Sequence, residues 1–309
     1  MNAPRRADGP PVRDGKPYSA IAHLAESVTP FVALAKGLRA QGLSAPEIFH
    51  ADLEQGLLLI EDLGDERVVA GDPPEPIVEC YEAAVDVLLS LHTHSLPDVL
   101  PVAPQVEYRI PPYDSAAFLI EAELLLDWYL PRAAAPASEE ARAVFRSLWG
   151  EALQPAIDQP PTWVLRDYHS PNLLWLPQRS GLLRVGLLDF QDALMGPAAY
   201  DLASLLQDAR VDVSEEIEVA LLGRYVRRRR VYEPAFDAAA FIKTYVALAA
   251  QRASKILGIF ARLDARDGKP QYLRHMPRVW VYLRRSLAHP SLAALAEWYE
   301  KNVPPLQTH

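Results

Sequence analysis

The chain has 309 residues, of which 50% are apolar, and a formal charge of −9. It is long enough to bury one large core or two lobes, and no apolar run approaches the roughly 18 residues of a membrane span. The acidic balance argues against a nucleic-acid partner. A single cysteine, Cys80, excludes an internal disulfide and fits a reducing compartment. We therefore expect a cytoplasmic protein without a membrane or nucleic-acid partner.

The first part of the chain is predicted to contain a loop, a broken helix and two strands. Residues 1–18 are rich in Pro, Arg, Asp and Gly, which is typical of a loop. A helical pattern over 19–41 contains Pro30, which predicts a break into two shorter helices. Two strand-like runs follow, at 45–52 and 56–64.

The rest of the chain is predicted to be mainly helical, with three strand-like runs in its middle, at 162–165, 173–176 and 182–188. This asymmetry predicts an α+β fold in which a small lobe containing a sheet, residues 1–64, joins a mostly helical lobe, residues 65–309. The predicted helices are 76–94, 115–130, 138–157, 202–206, 214–230, 233–259, 272–288 and 292–301.

The chemistry is predicted to lie in a loop and at a strand end. The loop at 166–172 reads Arg-Asp-Tyr-His-Ser-Pro-Asn, so Asp167 and Asn172 have the five-residue offset of a kinase catalytic loop. Asp189 ends an apolar run seventeen residues later. Phosphoryl transfer from Mg-ATP needs a carboxylate that orients the attacking hydroxyl, and an amide and a second carboxylate that hold magnesium. The spacing therefore predicts Asp167 as the base and Asn172 and Asp189 as Mg²⁺ ligands. A β-hairpin capped by Asp and Asn is the alternative.

This segment resembles the catalytic core of the aminoglycoside phosphotransferase and choline kinase-like family. The family loop, His-Gly-Asp-x-His-x-x-Asn, is matched at Asp167, His169 and Asn172, but the preceding His-Gly is not matched. The family's Ile-Asp-Phe/Trp strand end is matched by residues 188–190, and a further family Asp is matched by Asp201. The resemblance implies a protein-kinase-like two-lobe fold that uses ATP and Mg²⁺.

Within that family, the chain is most similar to the bacterial sugar kinases that phosphorylate N-acetylmuramate and N-acetylglucosamine at the anomeric hydroxyl during cell-wall recycling. Gln191-Asp192-Ala193 is typical of that branch. The resemblance implies a small-molecule acceptor, first an amino sugar, with aminoglycosides, choline and homoserine as alternatives. It also implies that residues 61–64 form the hinge between the lobes, with Glu61 and Leu63 at the nucleotide.

The phosphate-binding half of a usual kinase is incomplete in this sequence. None of the fourteen glycines forms a Gly-x-Gly pair, and no Gly-x-x-x-x-Gly-Lys is present. By resemblance, Asn2-Ala3-Pro4 follows directly on the third strand of the small lobe, which predicts a truncated lobe that lacks three strands. A late start, or a longer chain in which an N-terminal P-loop ATPase precedes these residues, is expected. A catalytically silent ligand-binding remnant is the alternative.

Four residues are candidates for contact with the acceptor. His169 lies in the catalytic loop, where it either orients Asp167 or packs beneath the loop, and Asp192 follows the predicted metal-binding segment. Arg252 and Lys255 are three residues apart and share a face of a predicted helix. They are candidates to receive a carboxylate, such as the lactyl group of muramate, although surface cations on a helix are commoner.

Three other features are interpreted as structural. Asp201 precedes an apolar helical run, which favours a role as its N-cap. His92 and His94 are two residues apart and point to different sides of a helix, so packing or capping is favoured over metal binding. The four arginines at 227–230 are interpreted as a solvated helix end.

Overall fold

The computed structural model describes residues 12–304, so the predictions for Asn2-Ala3-Pro4 lie outside the described residues. The described chain combines short antiparallel strand pairs with a mainly helical body, as the sequence predicts. In that part of the chain, no helix is long and apolar enough to span a bilayer.

The region before residue 65 contains two helices and a strand pair. Helix α1 spans Tyr18–Ile21 and α2 spans Thr29–Ala40, with Pro30 in the first turn of α2, so the predicted break is confirmed. Strands β1 (Ile48–Asp52) and β2 (Leu57–Ile60) pair antiparallel. The parallel bridge from Ser44 to Gly186 connects this region to the strands that carry the predicted metal residue.

Two strand pairs that the sequence patterns do not predict follow residue 64. Strands β3 (Val69–Ala70) and β4 (Glu75–Pro76) form a minimal hairpin, and β5 (Val99–Ala103) pairs with β6 (Val106–Arg109). Strand β5 contains Pro101 and has an irregular register, which interrupts the alternation by which a strand is recognised. The β5–β6 hairpin lies in the stretch between the predicted helices 76–94 and 115–130, to which the sequence analysis assigns no element.

The helical body differs from the predicted pattern mainly at helix ends. The predicted helix 115–130 is divided, because α4 ends at Ala122 and one π-helical turn, Leu125–Tyr129, follows it. The longest helix begins five residues later than predicted, since Asp237 caps it by accepting the amides of Ala239 and Ala240 at 3.0 Å. The helices are α3 (Val78–His92), α4 (Ser115–Ala122), α5 (Leu130–Arg132), α6 (Glu139–Ile157), α7 (Ala199–Leu206), α8 (Glu215–Tyr232), α9 (Ala238–Ala265), α10 (Met276–Leu287) and α11 (Ala293–Asn302).

Four short strands hold the catalytic segments side by side. Strand β8 (Leu173–Trp175) pairs antiparallel with β9 (Val185–Leu187), and β7 (Thr162–Val164) pairs antiparallel with β10 (Leu194–Gly196). The loop from 165 to 172 runs from β7 to β8, and the loop from 188 to 193 runs from β9 to β10. The two pairings therefore bring both loops to the same end of the strands.

Helix α9 forms the centre of the core and packs against α4, α7, α10 and the π-helical turn. At Gly258 a side-chain Cβ would lie 2.2 Å from the carbonyl carbon of Leu124, so the two backbones are in direct contact there. Only glycine permits this approach. The contact fixes the position of α9 beneath the catalytic loop.

The histidines at the end of α3 are structural, as predicted. His92 is buried, and its Nδ1 lies 2.9 Å from the hydroxyl of Tyr225, whereas His94 is exposed and bonds the carbonyl of Ser90. Between residues 12 and 304, no group of three or more His, Cys, Asp or Glu side chains is arranged to hold a metal ion.

The arginine run at 227–230 has a more specific role than a solvated helix end, so that interpretation is wrong in part. Arg228 forms an ion pair with Asp86 of α3, and Arg229 donates to the carbonyl of His92 at the end of that helix. Carbonyls in the last turn of a helix lack intrahelical donors. The run therefore fastens α8 to the C-terminal end of α3.

The buried imidazole of His92 predicts a measurable loss of stability in acid. Burial, together with the charge of Arg229, lowers the pKa of His92 to about 3, from roughly 6.5 in an unfolded chain. The unfolded state therefore binds the extra proton first, and stability falls as the pH drops from about 6.5 towards 3, by at most ~1.4 kcal/mol per pH unit. The variant His92→Asn, which does not titrate there, is expected to show a shallower decline in urea unfolding measured between pH 7 and 4.

The matched control is His94→Asn, because His94 lies two residues beyond the end of the same helix but is exposed. This variant is expected to follow the wild-type pH dependence. If His92→Asn and wild type decline in parallel over this range, the buried imidazole is not the group responsible.

Candidate active site

The catalytic loop is held by a buried carboxylate of the following helix. Asp201 accepts the backbone amides of Leu165 at 2.6 Å and Arg166 at 2.9 Å. Burial raises the pKa of Asp201 to about 7, while the two amide donors favour its charged form. The predicted N-cap role is wrong: α7 is preceded by Ala198 without a side-chain cap, and Asp201 lies inside the first turn, pointing inward.

The residue before the predicted base has a left-handed backbone. Arg166 has a φ of 70°, a conformation that costs a non-glycine residue about 1–2 kcal/mol. Its guanidinium is 2% exposed and donates to Glu121 of α4. A charge-assisted hydrogen bond in a buried site contributes on the order of 1.5–3 kcal/mol, which is enough to offset that cost.

Glu121 is the centre of a buried polar cluster beneath the loop. Besides Arg166, its carboxylate accepts hydrogen bonds from Lys255 at 2.8 Å, Tyr113 at 2.5 Å and Gln251 at 3.3 Å. Burial opposes ionisation of Glu121, but the charges of Arg166 and Lys255 outweigh it and lower its pKa to about 2. The carboxylate is therefore ionised at neutral pH, with two cations bound to it.

The residues predicted as the base, Asp167, and as the metal ligands, Asn172 and Asp189, lie together. Asn172 donates its amide to the carbonyl of Asp167 at 2.9 Å and faces a carboxylate oxygen of Asp189 at 3.3 Å. Leu188 donates its backbone amide to the carbonyl of Asn172 at 2.9 Å, which locks the two loops together. Asp189 is exposed and has a φ of 55°. Its carboxylate is therefore presented outward from the strand end.

Asp189 and Asn172 suit Mg²⁺ better than a metal that requires a full protein cage. Mg²⁺ bound with a nucleotide usually takes one or two protein oxygens and completes its shell with waters and phosphate oxygens. One exposed carboxylate beside an amide meets that requirement.

Asp167 is exposed on one side and has cations on the other. Its side chain is 37% exposed, and Arg252 Nη1 and His169 Nε2 each lie 3.9 Å from its Oδ1. Burial alone would raise the pKa of Asp167, but the charges of Lys255 and Arg252 outweigh it and the pKa is lowered. The carboxylate is therefore ionised at neutral pH and open to an incoming hydroxyl.

His169 is placed to support Asp167 rather than to face solvent. It is 7% exposed, and burial lowers its pKa although Asp208 and Asp167 oppose that change. The imidazole is therefore neutral at pH 7. Next to it, Asp208 accepts the amide of Ser170 at 2.9 Å and its hydroxyl at 2.5 Å, so a second buried carboxylate anchors the loop.

The other predicted acceptor residues have different surroundings. Lys255 is buried, and its ammonium is already bonded to Glu121, whereas Arg252 faces Asp167. Asp192 accepts the backbone amide of Ala25 at 2.6 Å and so connects the second loop to the segment between α1 and α2. The acceptor role of all three stays a prediction.

The predicted hinge residues lie beside the strands that carry the site. Glu61 bonds Arg179 at 2.5 Å and accepts the amide of Glu47 at 3.1 Å. Leu63 is buried in a small apolar cluster with Leu174 and Leu176, against which Leu188 packs. The predicted hinge thus shares an apolar cluster with the residue that precedes Asp189, and both the hinge and nucleotide binding by Glu61 and Leu63 stay predictions.

Comparison with known proteins agrees with this geometry. A family model described as the phosphotransferase enzyme family matches residues 16–242. The chain belongs to this family. A curated relative from Caulobacter vibrioides, named N-acetylmuramate/N-acetylglucosamine kinase, is 41% identical over 292 residues, which cover 93% of this chain and 78% of the relative.

Two solved structures show that this phosphotransferase has the kinase-like fold. A choline/ethanolamine kinase family protein from Mesorhizobium loti superposes with a TM-score of 0.56 at 14% identity, covering 89% of this chain and 83% of that one. The ADP-bound aminoglycoside phosphotransferase APH(2'')-Ib gives a TM-score of 0.52 at 13% identity, covering 91% and 87%. The predicted α+β kinase-like fold and phosphotransferase activity are confirmed.

Sequence reasoning missed two functional carboxylates of this phosphotransferase, Glu121 and Asp208. Both are fully buried and act on the catalytic loop from distant parts of the chain. The available signal was weak: Glu121 is an acidic residue within an apolar helical run that contains Phe118 and Leu125. Such a residue on an apolar helix face indicates a buried partner of opposite charge.

The buried cluster predicts a large cost when its anion is removed. In Glu121→Gln, Arg166 and Lys255 lose their counter-ion in the interior, which is expected to destabilise the fold by about 3–5 kcal/mol in urea unfolding. Asp98→Asn is the control, because Asp98 pairs with Arg109 at the surface. That variant is expected to change stability by at most about 1 kcal/mol. Equal effects of the two substitutions would contradict the assigned role of Glu121.

Proposed function

We propose that this phosphotransferase transfers the terminal phosphoryl group of ATP to a hydroxyl of an amino sugar, N-acetylmuramate or N-acetylglucosamine, with Mg²⁺ as cofactor. The observation that carries the proposal is the exposed Asp167 beside Asn172 and Asp189. The sugar is inferred from the name of the Caulobacter vibrioides relative. We also propose a role in re-using cell-wall sugars, in the cytoplasm, where ATP is available.

In the proposed mechanism, Asp167 accepts a hydrogen bond from the acceptor hydroxyl, orients its oxygen towards the phosphate and takes the proton as the new bond forms. A carboxylate with a lowered pKa is a weak base, and this suits the task. In the loose transition state of phosphoryl transfer the attacking hydroxyl has formed little of the new bond, so a strong base is not needed to remove its proton. Arg252, 3.9 Å from Asp167, keeps the carboxylate ionised.

Asn172 and Asp189 would hold the metal ion on the nucleotide. When bound, Mg²⁺ neutralises charge on the phosphate oxygens. The backbone hydrogen bond from Leu188 to Asn172 fixes the distance between the side-chain amide of Asn172 and the carboxylate of Asp189. We further propose that the boundary between the two lobes lies near Gly64, and that Glu61 and Leu63 contact the nucleotide there.

Cationic acceptors such as aminoglycosides or choline are less well matched to this site. Arg252 lies within 3.9 Å of Asp167, and Lys255 and Arg166 lie beneath the same loop. A cationic acceptor is favoured by surrounding carboxylates, whereas Arg252, which unlike Lys255 and Arg166 is not paired with Glu121, favours a neutral or anionic one.

The first test concerns the proposed base. Asp167→Asn is expected to lower kcat by ~10³-fold or more while Mg-ATP binding stays near wild type, because a base acts on the transition state and other groups hold the metal. Phosphate transfer to both sugars and calorimetric titration with Mg-ATP measure the two effects. A loss below tenfold removes Asp167 from this role. If the wild-type protein transfers no phosphate to either sugar, the alternative of a catalytically silent ligand-binding protein is supported.

The second test concerns the metal ligand. Asp189→Ala is expected to weaken Mg-ATP binding by about tenfold or more, because the carboxylate on the bridging metal is lost. Titration of Mg²⁺ at fixed ATP reports the change. The control is Asp158→Ala, whose exposed carboxylate lies at the end of α6. Unchanged Mg²⁺ dependence of Asp189→Ala would defeat the assignment.

A further inference from the structure

A cavity with a mainly basic lining adjoins the segment that follows α7. It has a volume of about 540 Å³ and is bounded by the loop Asp72-Pro73-Pro74, by Arg210 and by the residues around the start of α10. Its basic lining residues are Arg210, Arg274, His275 and Arg278, against one carboxylate, Asp72.

Asp208 connects this cavity to the catalytic loop. One of its carboxylate oxygens accepts both Ser170 bonds, and the other accepts the backbone amide of Arg210 at 2.9 Å. Ser170 directly follows His169, which lies 3.9 Å from Asp167. Asp208 therefore joins one wall of this cavity to the loop that carries the base.

The guanidinium groups of two of these arginines, Arg210 and Arg274, are available to bind a ligand. The guanidinium of Arg210 has no direct hydrogen bond or ion pair with a described side chain, although its charge helps to lower the pKa of the nearby Asp208, and Arg274 donates only to Nε2 of His275, at 3.3 Å. Burial, reinforced by Arg274 and Arg210, lowers the pKa of His275 to about 4, so the imidazole is neutral at pH 7. Arg278, by contrast, is occupied by Asp212 and by the carbonyl of Ala209.

We propose that Arg210 and Arg274 bind the carboxylate of the acceptor, which is the lactyl group of N-acetylmuramate. This inference rests on the proposed function and assigns the specificity of the same site. A guanidinium matches a carboxylate with two parallel hydrogen bonds, which an ammonium cannot provide. N-acetylglucosamine has a hydroxyl where muramate carries the lactyl ether, so it makes no use of these arginines. The acceptor role predicted for Arg252 and Lys255 stays a separate prediction; the ammonium of Lys255 is already bound to Glu121.

The two sugars provide an internal control for the test. Steady-state kinetics of Arg210→Gln and Arg274→Gln are expected to show KM for N-acetylmuramate raised by about tenfold or more, with kcat near wild type. The loss is expected to be confined to that sugar, because N-acetylglucosamine lacks the carboxylate. Arg210→Lys is expected to recover part of the affinity, since it keeps the charge but not the planar fork. Arg109→Gln, at an exposed surface pair, is the matched control.

Each outcome supports or overturns the assignment. A selective rise in KM for N-acetylmuramate supports it. Equal losses on both sugars overturn it, because the substitutions then act on the catalytic loop and not on the carboxylate, and no loss on either sugar overturns it because the arginines then do not bind the acceptor. Wild-type activity on N-acetylglucosamine alone also overturns the carboxylate site. Wild-type protein that phosphorylates neither sugar overturns the proposed function itself and this inference with it.

Discussion

The catalytic loop depends on the buried contact between Glu121 and its two cations, Arg166 and Lys255. This contact joins α4, the loop and α9, three parts of the chain that are not adjacent in sequence. A buried ion is strongly destabilising when its partner is absent. Each of these three side chains must therefore stay in place for the other two to remain buried. The left-handed backbone at Arg166, where the family loop has glycine, is acceptable only in this setting. Asp167 is the next residue along the chain, so the backbone conformation of Arg166 sets the direction of its exposed carboxylate.

The second loop is positioned by contacts with the beginning of the described chain. Phe190, which follows Asp189, stacks on Phe31 of α2 with ring centroids 4.9 Å apart. Two residues further on, Asp192 is bonded to the amide of Ala25. The position of the proposed metal ligand is thus coupled to α2, whereas the base is coupled to α4 and α9. Movement of α2 relative to the helical body would change the distance between these two functions.

The sequence predicts the parts of the site that are local and misses the parts that are distant. Asp167, Asn172 and Asp189 are recognised because their spacing along one loop and one strand end is itself the chemical requirement. Glu121 is 45 residues from Arg166 and 134 from Lys255, and no pattern in the sequence pairs them. Asp201 is recognised as important, yet its role is misassigned, because only tertiary packing shows that it points into the loop.

The helix pattern shows the same division. The break before α2 follows from one proline and is predicted. The division of the segment after α4 is not predicted, because it depends on how closely α9 approaches Leu124. The β5–β6 hairpin is missed since Pro101 and an irregular register hide its alternation.

The contact between Gly258 and Leu124 makes the catalytic loop depend on position 258, although this residue lies inside helix α9 and carries no functional group. Helix α9 carries Arg252 about two turns and Lys255 about one turn before this glycine, on the same rigid helix. A methyl group at 258 cannot be accommodated by a side-chain rotation, because the obstacle is backbone. The helix would instead be displaced as a whole, and both cations would leave the loop together. Position 258 is therefore expected to tolerate as little natural variation as Asp167, the carboxylate whose pKa the charges of Lys255 and Arg252 lower.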